Sequence, residues 1–273
     1  MTRIVADTVS ALLRQAGIAA APLEQHALAP GKTLVRLAEG GGFVKLGHHP
    51  AGRALLRAEA RAYAEPPPDP PYRRPELLGF HDGGDATLLW LSPLPGHALS
   101  PWAALRRRTG PYAGQATDQR RLADLLPEPE TPWIAGWNSR LAGRWGSVPV
   151  RTGPSHGDFV YWNLLRPTAG GAYGLLDYEY FEPRAPAMSD CLFWQLAPIC
   201  RQAIRRRIGA LVYPVVARLA PAPELALTLL RHGARFEREE RQPDIDLLYT
   251  PDTLHLRRGQ VALYAALLDR LLA

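Results

Sequence analysis

The 273-residue chain is poor in cysteine, in lysine and in long apolar runs, and each shortage excludes a class of protein. Two cysteines, Cys191 and Cys200, are too few for a disulfide framework, so we expect a reducing, cytoplasmic location. No apolar run reaches the roughly 18 residues of a membrane helix, and we therefore expect no membrane partner. Charged residues interrupt the first 22 residues, which favours an amphipathic helix over a signal peptide.

The lysine shortage is severe. Lys32 and Lys45 are the only lysines, so arginine supplies the other 30 of the 32 basic residues. Such a bias is typical of genome composition, and a lysine kept against it indicates a chemical role. The net charge of +6 raises nucleic-acid binding through the arginine clusters at 106–108 and 205–207 as an alternative. Each cluster lies beside apolar residues at helical spacing, as on a solvated helix face, and no nucleic-acid-binding motif accompanies them. We therefore expect no nucleic-acid partner.

The first third of the chain is rich in strand and turn signals. A helix is predicted to open at Pro50 and to end near Glu65, before a proline-rich stretch. Short apolar runs bounded by glycine and aspartate turns predict strands on either side of that helix. The predicted strands cover residues 24–28, 33–37, 43–46, 77–81 and 86–91.

After Gly96 the pattern is helical almost to the end, apart from two short strands predicted within 155–165 and 173–180. The length and the 47% hydrophobic content allow one large domain or two modest ones. We predict an α+β chain with two lobes: a small β-rich lobe at 1–94 and a larger helical lobe at 95–273.

Three polar residues in the second half combine in a way that suits phosphoryl transfer. Asp158 and Asn163 are five residues apart, and Asp177 follows an apolar run at whose end it would project from a strand. One carboxylate and one amide oxygen suit Mg²⁺, which prefers oxygen ligands and completes its shell with phosphate oxygens and water. The second carboxylate is then available to orient a hydroxyl nucleophile.

The motifs around these residues resemble those of a known enzyme family. His156-Gly157-Asp158 with Asn163 resembles the catalytic loop of the aminoglycoside phosphotransferase and choline kinase family, whose fold is similar to that of protein kinases. The segment Asp177-Tyr178-Glu179 resembles the family's second metal-binding motif, usually Asp-Trp-Glu. Residues 186–190 are similar to its continuation, with a spacing one residue longer.

The resemblance implies a role for each matching residue. Asp158 becomes the catalytic carboxylate, which orients the acceptor hydroxyl and takes its proton. Asn163 and Asp177 become the Mg²⁺ ligands, and His156 and Asp190 support the loop. For His156 alone, an ordinary core histidine is an equally good interpretation. The implied cofactors are ATP or GTP and Mg²⁺. The resemblance also implies that the lobe at 1–94 binds the nucleotide and that the lobe at 95–273 carries the catalytic and acceptor-binding residues.

The same resemblance implies nucleotide-binding residues in the β-rich lobe. Lys45, in the third predicted strand, is expected to hold the nucleotide α- and β-phosphates, and Glu59 on the following helix is expected to pair with it. Glu65 is the rival partner, and a lysine that merely snorkels from a strand edge is the structural alternative. Ser92 and Leu94 lie in the segment that resembles the adenine-binding linker, where backbone groups bind the base.

The phosphate-covering loop should lie at 29–32, between the first two strands, where Gly31 is the only glycine. The glycines at 40–42 fall between the second and third strands and are interpreted as a hairpin turn. Arginine is larger than lysine and favours fork-shaped partners, so Lys45→Arg is expected to impair nucleotide use strongly. Lys32→Arg is expected to be nearly silent unless Lys32 itself touches phosphate.

The predicted function is therefore a small-molecule kinase that moves the ATP γ-phosphate to a hydroxyl of a sugar, an aminoglycoside-like compound or another small metabolite. The alternative is a catalytically weak or inactive nucleotide-binding module of the pseudokinase type. The acceptor's identity and the oligomeric state stay open. The candidate residues for an acceptor pocket are acidic or aromatic: Glu179, Glu182, Trp194, Glu237, Glu239, Glu240, Asp244 and Asp246.

Overall fold

A computed structural model describes residues 6–28, 31–65, 72–99, 115–116, 118–168, 170–242, 245 and 249–273. The chain forms two compact units. The first, here the sheet unit, draws on Met1–Ser100, Trp162–Phe181 and Asp246–Thr250; the second, here the helical unit, draws on Pro101–Tyr161, Glu182–Ile245 and Pro251–Ala273. The boundary predicted between residues 94 and 95 stays a prediction. Residues 29–30, within the expected phosphate loop, and the arginine cluster at 106–108 lie outside the described residues.

The sheet unit is built on a five-stranded antiparallel sheet with the order β1-β2-β3-β5-β4. All five strands predicted for the first third of the chain are confirmed to within two residues at each end. Their bounds are β1 Pro22–Leu28, β2 Lys32–Leu37, β3 Phe43–Gly47, β4 Leu77–Asp82 and β5 Thr87–Leu91.

Alternation along the strands gives the sheet two different faces. One face packs against the amphipathic helix α1 (Ala6–Gln15), whose presence was predicted, and its core includes Val35 and Val44. The register pairs Val35 with Val44 and Leu34 with Lys45, so Leu34 and Lys45 belong to the opposite face. Helix α2 (Pro50–Ala64) packs against β3.

Helix α2 begins at a local signal and buries one side. The His49 side chain accepts a hydrogen bond from the Ala51 N–H at 3.3 Å, and Pro50 occupies the first turn, where its missing N–H is tolerated. A Cβ on Gly47 would lie 2.9 Å from the Arg53 nitrogen, so only glycine lets the end of β3 pass this close to the helix. Glu59 is buried on the same helix.

The segment 155–180 corrects the prediction of two short strands. Strands β9 (Leu164–Arg166) and β10 (Gly174–Leu175) are shorter than predicted, and they form a small sheet with β6 (His97–Ala98). The rest of the segment contains 3-10 turns, at Tyr161–Asn163 and Tyr178–Tyr180. Asp177 ends the second strand early because its backbone is left-handed, with φ 61° and ψ 67°, which no strand residue adopts.

The helical unit also contains a small antiparallel sheet that was not predicted. Strands β7 (Asp118–Arg121), β8 (Pro149–Ser155) and β11 (Glu182–Pro186) form it, in the order β11-β8-β7. Prolines and a glycine in β8 and β11 hide the strand signal. The described helices of this unit are α3 Pro132–Trp145, α4 Ser189–Arg205, α5 Tyr213–Val216, α6 Ala222–Glu240 and α7 Pro251–Leu272.

The core of the helical unit is aliphatic and aromatic. Its central members include Leu141, Leu196, Leu229, Tyr264 and Leu268, all of them fully buried. The predicted division into a β-rich first part and a helical second part is confirmed. Over the part of the chain that the structure describes, no helix combines the length and the apolar character of a membrane span.

A buried histidine of α6 makes the stability of the helical unit depend on pH. The His232 ring stacks on Phe193 with 3.9 Å between ring centroids. Burial lowers the pKa of His232 well below its usual 6.5, and the charges of Arg235, Arg231 and Arg257 lower it further. Below about pH 6.5 the His232 imidazole binds a proton in the unfolded chain but stays neutral in the folded chain. The free energy of unfolding therefore falls as pH drops.

We therefore expect His232→Leu to flatten the fall in the free energy of unfolding between about pH 7 and pH 5. Urea unfolding followed by circular dichroism at several pH values measures that slope for the wild type and the variant. Equal slopes for the two proteins would contradict the expectation, whatever their absolute stabilities.

Candidate functional site

A buried ion pair in the sheet unit joins β3 to α2. The Lys45 ammonium donates to both carboxylate oxygens of Glu59, each at 2.8 Å. Lys45 is 6% exposed and Glu59 is fully buried, which excludes the snorkelling alternative for Lys45. The rival partner, Glu65, is exposed just beyond the end of α2.

The same ammonium reaches a second carboxylate. Lys45 also forms an ion pair with Oδ1 of Asp177, whose side chain is about one-third exposed. Burial alone lowers the pKa of Lys45, but the charges of Asp177 and Glu59 outweigh burial and raise that pKa well above its usual value. Lys45 is therefore a fixed cation at any physiological pH.

The segment that carries Asp177 is held in place by its neighbours. A left-handed backbone costs energy at a residue other than glycine and persists only where the surroundings impose it. The next residue, Tyr178, is buried, and its ring lies 5.7 Å from that of Tyr63 on α2. The ion pair with Lys45 on one side and the packing of Tyr178 on the other therefore hold the strained backbone in place.

Asn163 and Asp177 are brought together by the hairpin of β9 and β10. The Leu176 N–H donates to the Asn163 carbonyl at 2.9 Å, so the residue before Asp177 is bonded directly to Asn163. Asn163 is 3% exposed. One amide and one carboxylate are oxygen donors of the kind that Mg²⁺ takes from proteins when phosphate and water supply the rest, and this donor set fits the ion.

Lys32 is the residue of the sheet unit that the sequence interpretation undervalued. Its side chain is buried, at 4% exposure, and its ammonium forms an ion pair with Glu179, whose side chain is 10% exposed. Burial raises the pKa of Glu179 to about 7, and Lys32 opposes that rise. Both lysines of the chain therefore contact acidic residues of Asp177-Tyr178-Glu179. The signal that could have revealed this is the scarcity of lysine itself.

In the helical unit, Asp190 organises the loop that follows β8. From the first turn of α4 its carboxylate accepts three hydrogen bonds: from the His156 N–H at 2.8 Å, the Gly157 N–H at 3.0 Å and the Ser155 hydroxyl at 2.9 Å. The one-residue difference in spacing before Asp190 does not prevent these contacts. The fully buried His156 accepts the Asp158 N–H on Nδ1 at 3.3 Å, and Gly157 has a left-handed φ of 77°. The loop backbone is thus fixed around Asp158.

Arg235 on α6 is a contact of Asp158 that sequence reasoning missed. Its guanidinium donates to the Gly157 carbonyl and to Oδ1 of Asp158, both at 2.9 Å. The rings of Phe193 and Phe236 flank the guanidinium carbon, with centroids 5.3 and 4.9 Å away. Nothing local distinguishes Arg235 from the other arginines, because its partner is 77 residues away.

The predicted adenine-binding segment lies beside Glu76, the residue directly before β4. The Ser92 N–H donates to the Glu76 carbonyl, and the Ser92 hydroxyl accepts from the Glu76 N–H, each at 2.9 Å. The Leu94 side chain packs so closely over Gly174 that a Cβ there would lie 2.5 Å from it. The binding of adenine by Ser92 and Leu94 stays a prediction.

Most of the acidic candidates for an acceptor pocket are paired with arginine within the helical unit. Glu182 contacts Arg231, and Glu237 contacts Arg241. Glu239 lies 3.6 Å from Arg257. This group of side chains is therefore mixed in charge rather than acidic. Asp244 and Asp246 lie outside the described residues.

The buried pair gives a stability prediction. Lys45→Met leaves the fully buried Glu59 carboxylate without its ammonium, so the free energy of unfolding should fall by about 3–5 kcal/mol. The double variant Lys45→Met/Glu59→Gln removes the stranded charge and should recover part of that loss. Arg36→Met, which removes an exposed charge from β2, is the control and should change stability by less than about 0.5 kcal/mol. Urea titrations compare the four proteins, and a double variant less stable than Lys45→Met alone would contradict this account.

Known proteins resemble the chain in structure rather than in sequence. No protein-family model matches it, and no curated protein matches it. The crystal structure of aminoglycoside phosphotransferase APH(4)-Ia matches 97% of this chain and 99% of its own, with a TM-score of 0.59 and 12% identity. A thermostable mutant of that enzyme, in ternary complex with ADP and hygromycin B, matches 95% and 97%, with a TM-score of 0.54 and 13% identity. A candidate aminoglycoside phosphotransferase from Ralstonia eutropha JMP134 matches 98% and 99%, with a TM-score of 0.50 and 13% identity. The chain therefore has the fold of the aminoglycoside phosphotransferases, the protein kinase-like fold that its motifs predicted.

Proposed function

We propose that this protein is a Mg²⁺-dependent small-molecule kinase, which transfers the γ-phosphoryl group of ATP to a hydroxyl of a sugar, an aminoglycoside-like compound or another small metabolite. The observation that carries the proposal is the contact of the buried Lys45 ammonium with both Glu59 and Asp177. A fixed cation beside a metal-binding carboxylate is the arrangement that a nucleotide triphosphate tail requires.

Each predicted site residue of the sheet unit has a role in this proposal. Lys45 binds the α- and β-phosphates, and Glu59 holds its ammonium in place. Backbone groups of Ser92 and Leu94 bind the adenine. Asn163 and Asp177 would hold Mg²⁺, which on binding neutralises part of the phosphate charge.

Asp158 is the proposed catalytic carboxylate in the helical unit. It accepts the proton of the acceptor hydroxyl while that oxygen bonds to the γ-phosphorus and the bond from this phosphorus to the β–γ bridging oxygen breaks. ADP leaves with the bridging oxygen. Arg235 donates hydrogen bonds to one oxygen of Asp158 and to the carbonyl of Gly157. These two bonds orient the Asp158 carboxylate before the acceptor binds.

The acceptor class rests on the fold and on the polar chemistry required. A protein of this fold binds hygromycin B together with ADP. We therefore place polyhydroxylated small molecules first among the acceptors, and the cytoplasm, with its ATP, as the compartment. The alternative of an inactive nucleotide-binding module is favoured by one observation, the single glycine in the expected phosphate loop.

Turnover separates these two functions. We expect wild-type protein with Mg²⁺ and ATP to phosphorylate at least one member of a panel of sugars, aminoglycosides and amino alcohols. Asp158→Asn should lower kcat by roughly 10²–10⁴-fold and leave ATP affinity within about twofold, because it removes the proton acceptor and no nucleotide contact. Wild type that binds ATP but turns over no acceptor would favour the inactive module, and wild type that binds no nucleotide would refute both.

Arg235 provides a second kinetic test with a matched control. Arg235→Met should lower kcat by up to about 100-fold with ATP affinity preserved, because the Asp158 carboxylate loses its orientation. Arg231→Met removes an arginine one turn earlier on the same helix, which contacts the Leu125 carbonyl and Glu182 instead. Equal losses of kcat in the two variants would show that Arg235 acts only through the packing of α6.

A further inference from the structure

Lys32 lies at the end of the segment where the phosphate-covering loop is expected. It is the first residue of β2 and directly follows Gly31, the only glycine of the expected phosphate-covering loop. A loop with one glycine offers few backbone N–H groups that can approach an anion closely. A lysine at this point supplies the positive charge that such a loop would otherwise provide through its backbone.

The strand register places the two lysines side by side. Lys32 pairs with Gly47 and Leu34 pairs with Lys45, so Lys32 and Lys45 belong to the same face as diagonal neighbours. The Cα atoms of such diagonal neighbours lie roughly 7–8 Å apart. Gly47, directly opposite Lys32, has no side chain, which leaves room for the lysine stem beside Lys45.

The partners of the two lysines also lie together. Lys45 contacts Asp177, and Lys32 contacts Glu179 two residues further on. The cluster therefore contains two ammonium groups and three carboxylates, the third being Glu59. In a chain with 30 arginines, both lysines are used within this one cluster, where a compact ammonium on a flexible stem fits and a planar guanidinium does not.

We propose that Lys32 is a second phosphate-binding lysine, which exchanges Glu179 for a phosphate oxygen of the nucleotide when ATP binds. The inference rests on the proposed kinase function and adds a residue to its nucleotide site. In the nucleotide-free protein Glu179 compensates the buried ammonium, and a phosphate oxygen takes over that task on binding. The ammonium is therefore paired with an anion in both states. Lys32→Arg is then not silent, because Lys32 touches phosphate.

The competing interpretation is that Lys32 only ties Glu179, and with it the Asp177 segment, to the sheet. The two interpretations differ in what happens once Glu179 has lost its charge. If the ion pair is only a tie, Glu179→Gln already breaks it, and a further loss of Lys32 adds nothing. If Lys32 binds phosphate, Glu179→Gln frees it for the nucleotide, and the loss of Lys32 then removes a phosphate contact.

The decisive comparison is Glu179→Gln against Lys32→Met/Glu179→Gln. Neither variant leaves a buried carboxylate stranded by the loss of Lys32. Isothermal titration calorimetry of each with Mg²⁺-ATP and with adenosine separates phosphate contacts from base contacts. We expect Glu179→Gln to bind ATP at least as tightly as wild type, and the double variant to bind ATP about 10- to 100-fold more weakly, with adenosine affinity unchanged. Arg36→Met controls for the loss of one positive charge from β2 and should bind both ligands as wild type does.

Two outcomes overturn the inference without touching the proposed function. One is equal ATP affinity in Glu179→Gln and the double variant while wild type binds ATP. The other is a parallel loss of ATP and adenosine affinity, which marks a purely structural role. Wild type that binds neither ligand refutes the proposed function as well. Should the double variant fail to fold, Lys32→Gln, which removes the charge but keeps a polar side chain, replaces Lys32→Met in the same background, and ATP affinity equal to that of Glu179→Gln, with adenosine affinity unchanged, again overturns the inference.

Discussion

The buried ammonium of Lys45 is the constraint on which the sheet unit depends. A charge at 6% exposure must be compensated, and the compensation comes from Glu59 on α2 and Asp177 beyond β10. These two contacts join a strand and the helix that follows it to a strained turn 132 residues further along the chain. The left-handed backbone of Asp177 is tolerated because the ion pair and the packing of Tyr178 hold it. Stability and the proposed chemistry therefore use the same atoms.

The helical unit follows the same physical rule with different groups. The loop around the fully buried His156 is fixed by the Asp190 carboxylate, which satisfies two backbone N–H groups and a hydroxyl. Arg235 then fixes Asp158, and its forked guanidinium suits a site that offers both a carbonyl and a carboxylate oxygen. Arginine orients the proposed catalytic carboxylate, whereas lysine is kept for the cluster that is proposed to meet phosphate.

The likeness to aminoglycoside phosphotransferases at 12–13% identity shows that very different sequences can form this fold. What the chain must supply is a pattern: alternating strands, an amphipathic α1, a glutamate on the buried side of α2 and a short polar loop after β8. Many side chains satisfy the pattern, but the charged residues that compensate one another are restricted by electrostatics.

The sequence by itself determined the strands of the first sheet, helix α2 and the resemblance of the loop motifs, because alternation, helical spacing and short motifs are local properties. It also singled out Lys45 and Glu59, which are 14 residues apart. Only the tertiary structure decided the partners of Lys32 and Arg235, which are 147 and 77 residues away in the chain. It also decided the sheet of β7, β8 and β11, whose prolines and glycine hide the strand signal until the pairing supplies it. Long-range pairing of charges and strands depends on the folded chain, and no local pattern encodes it.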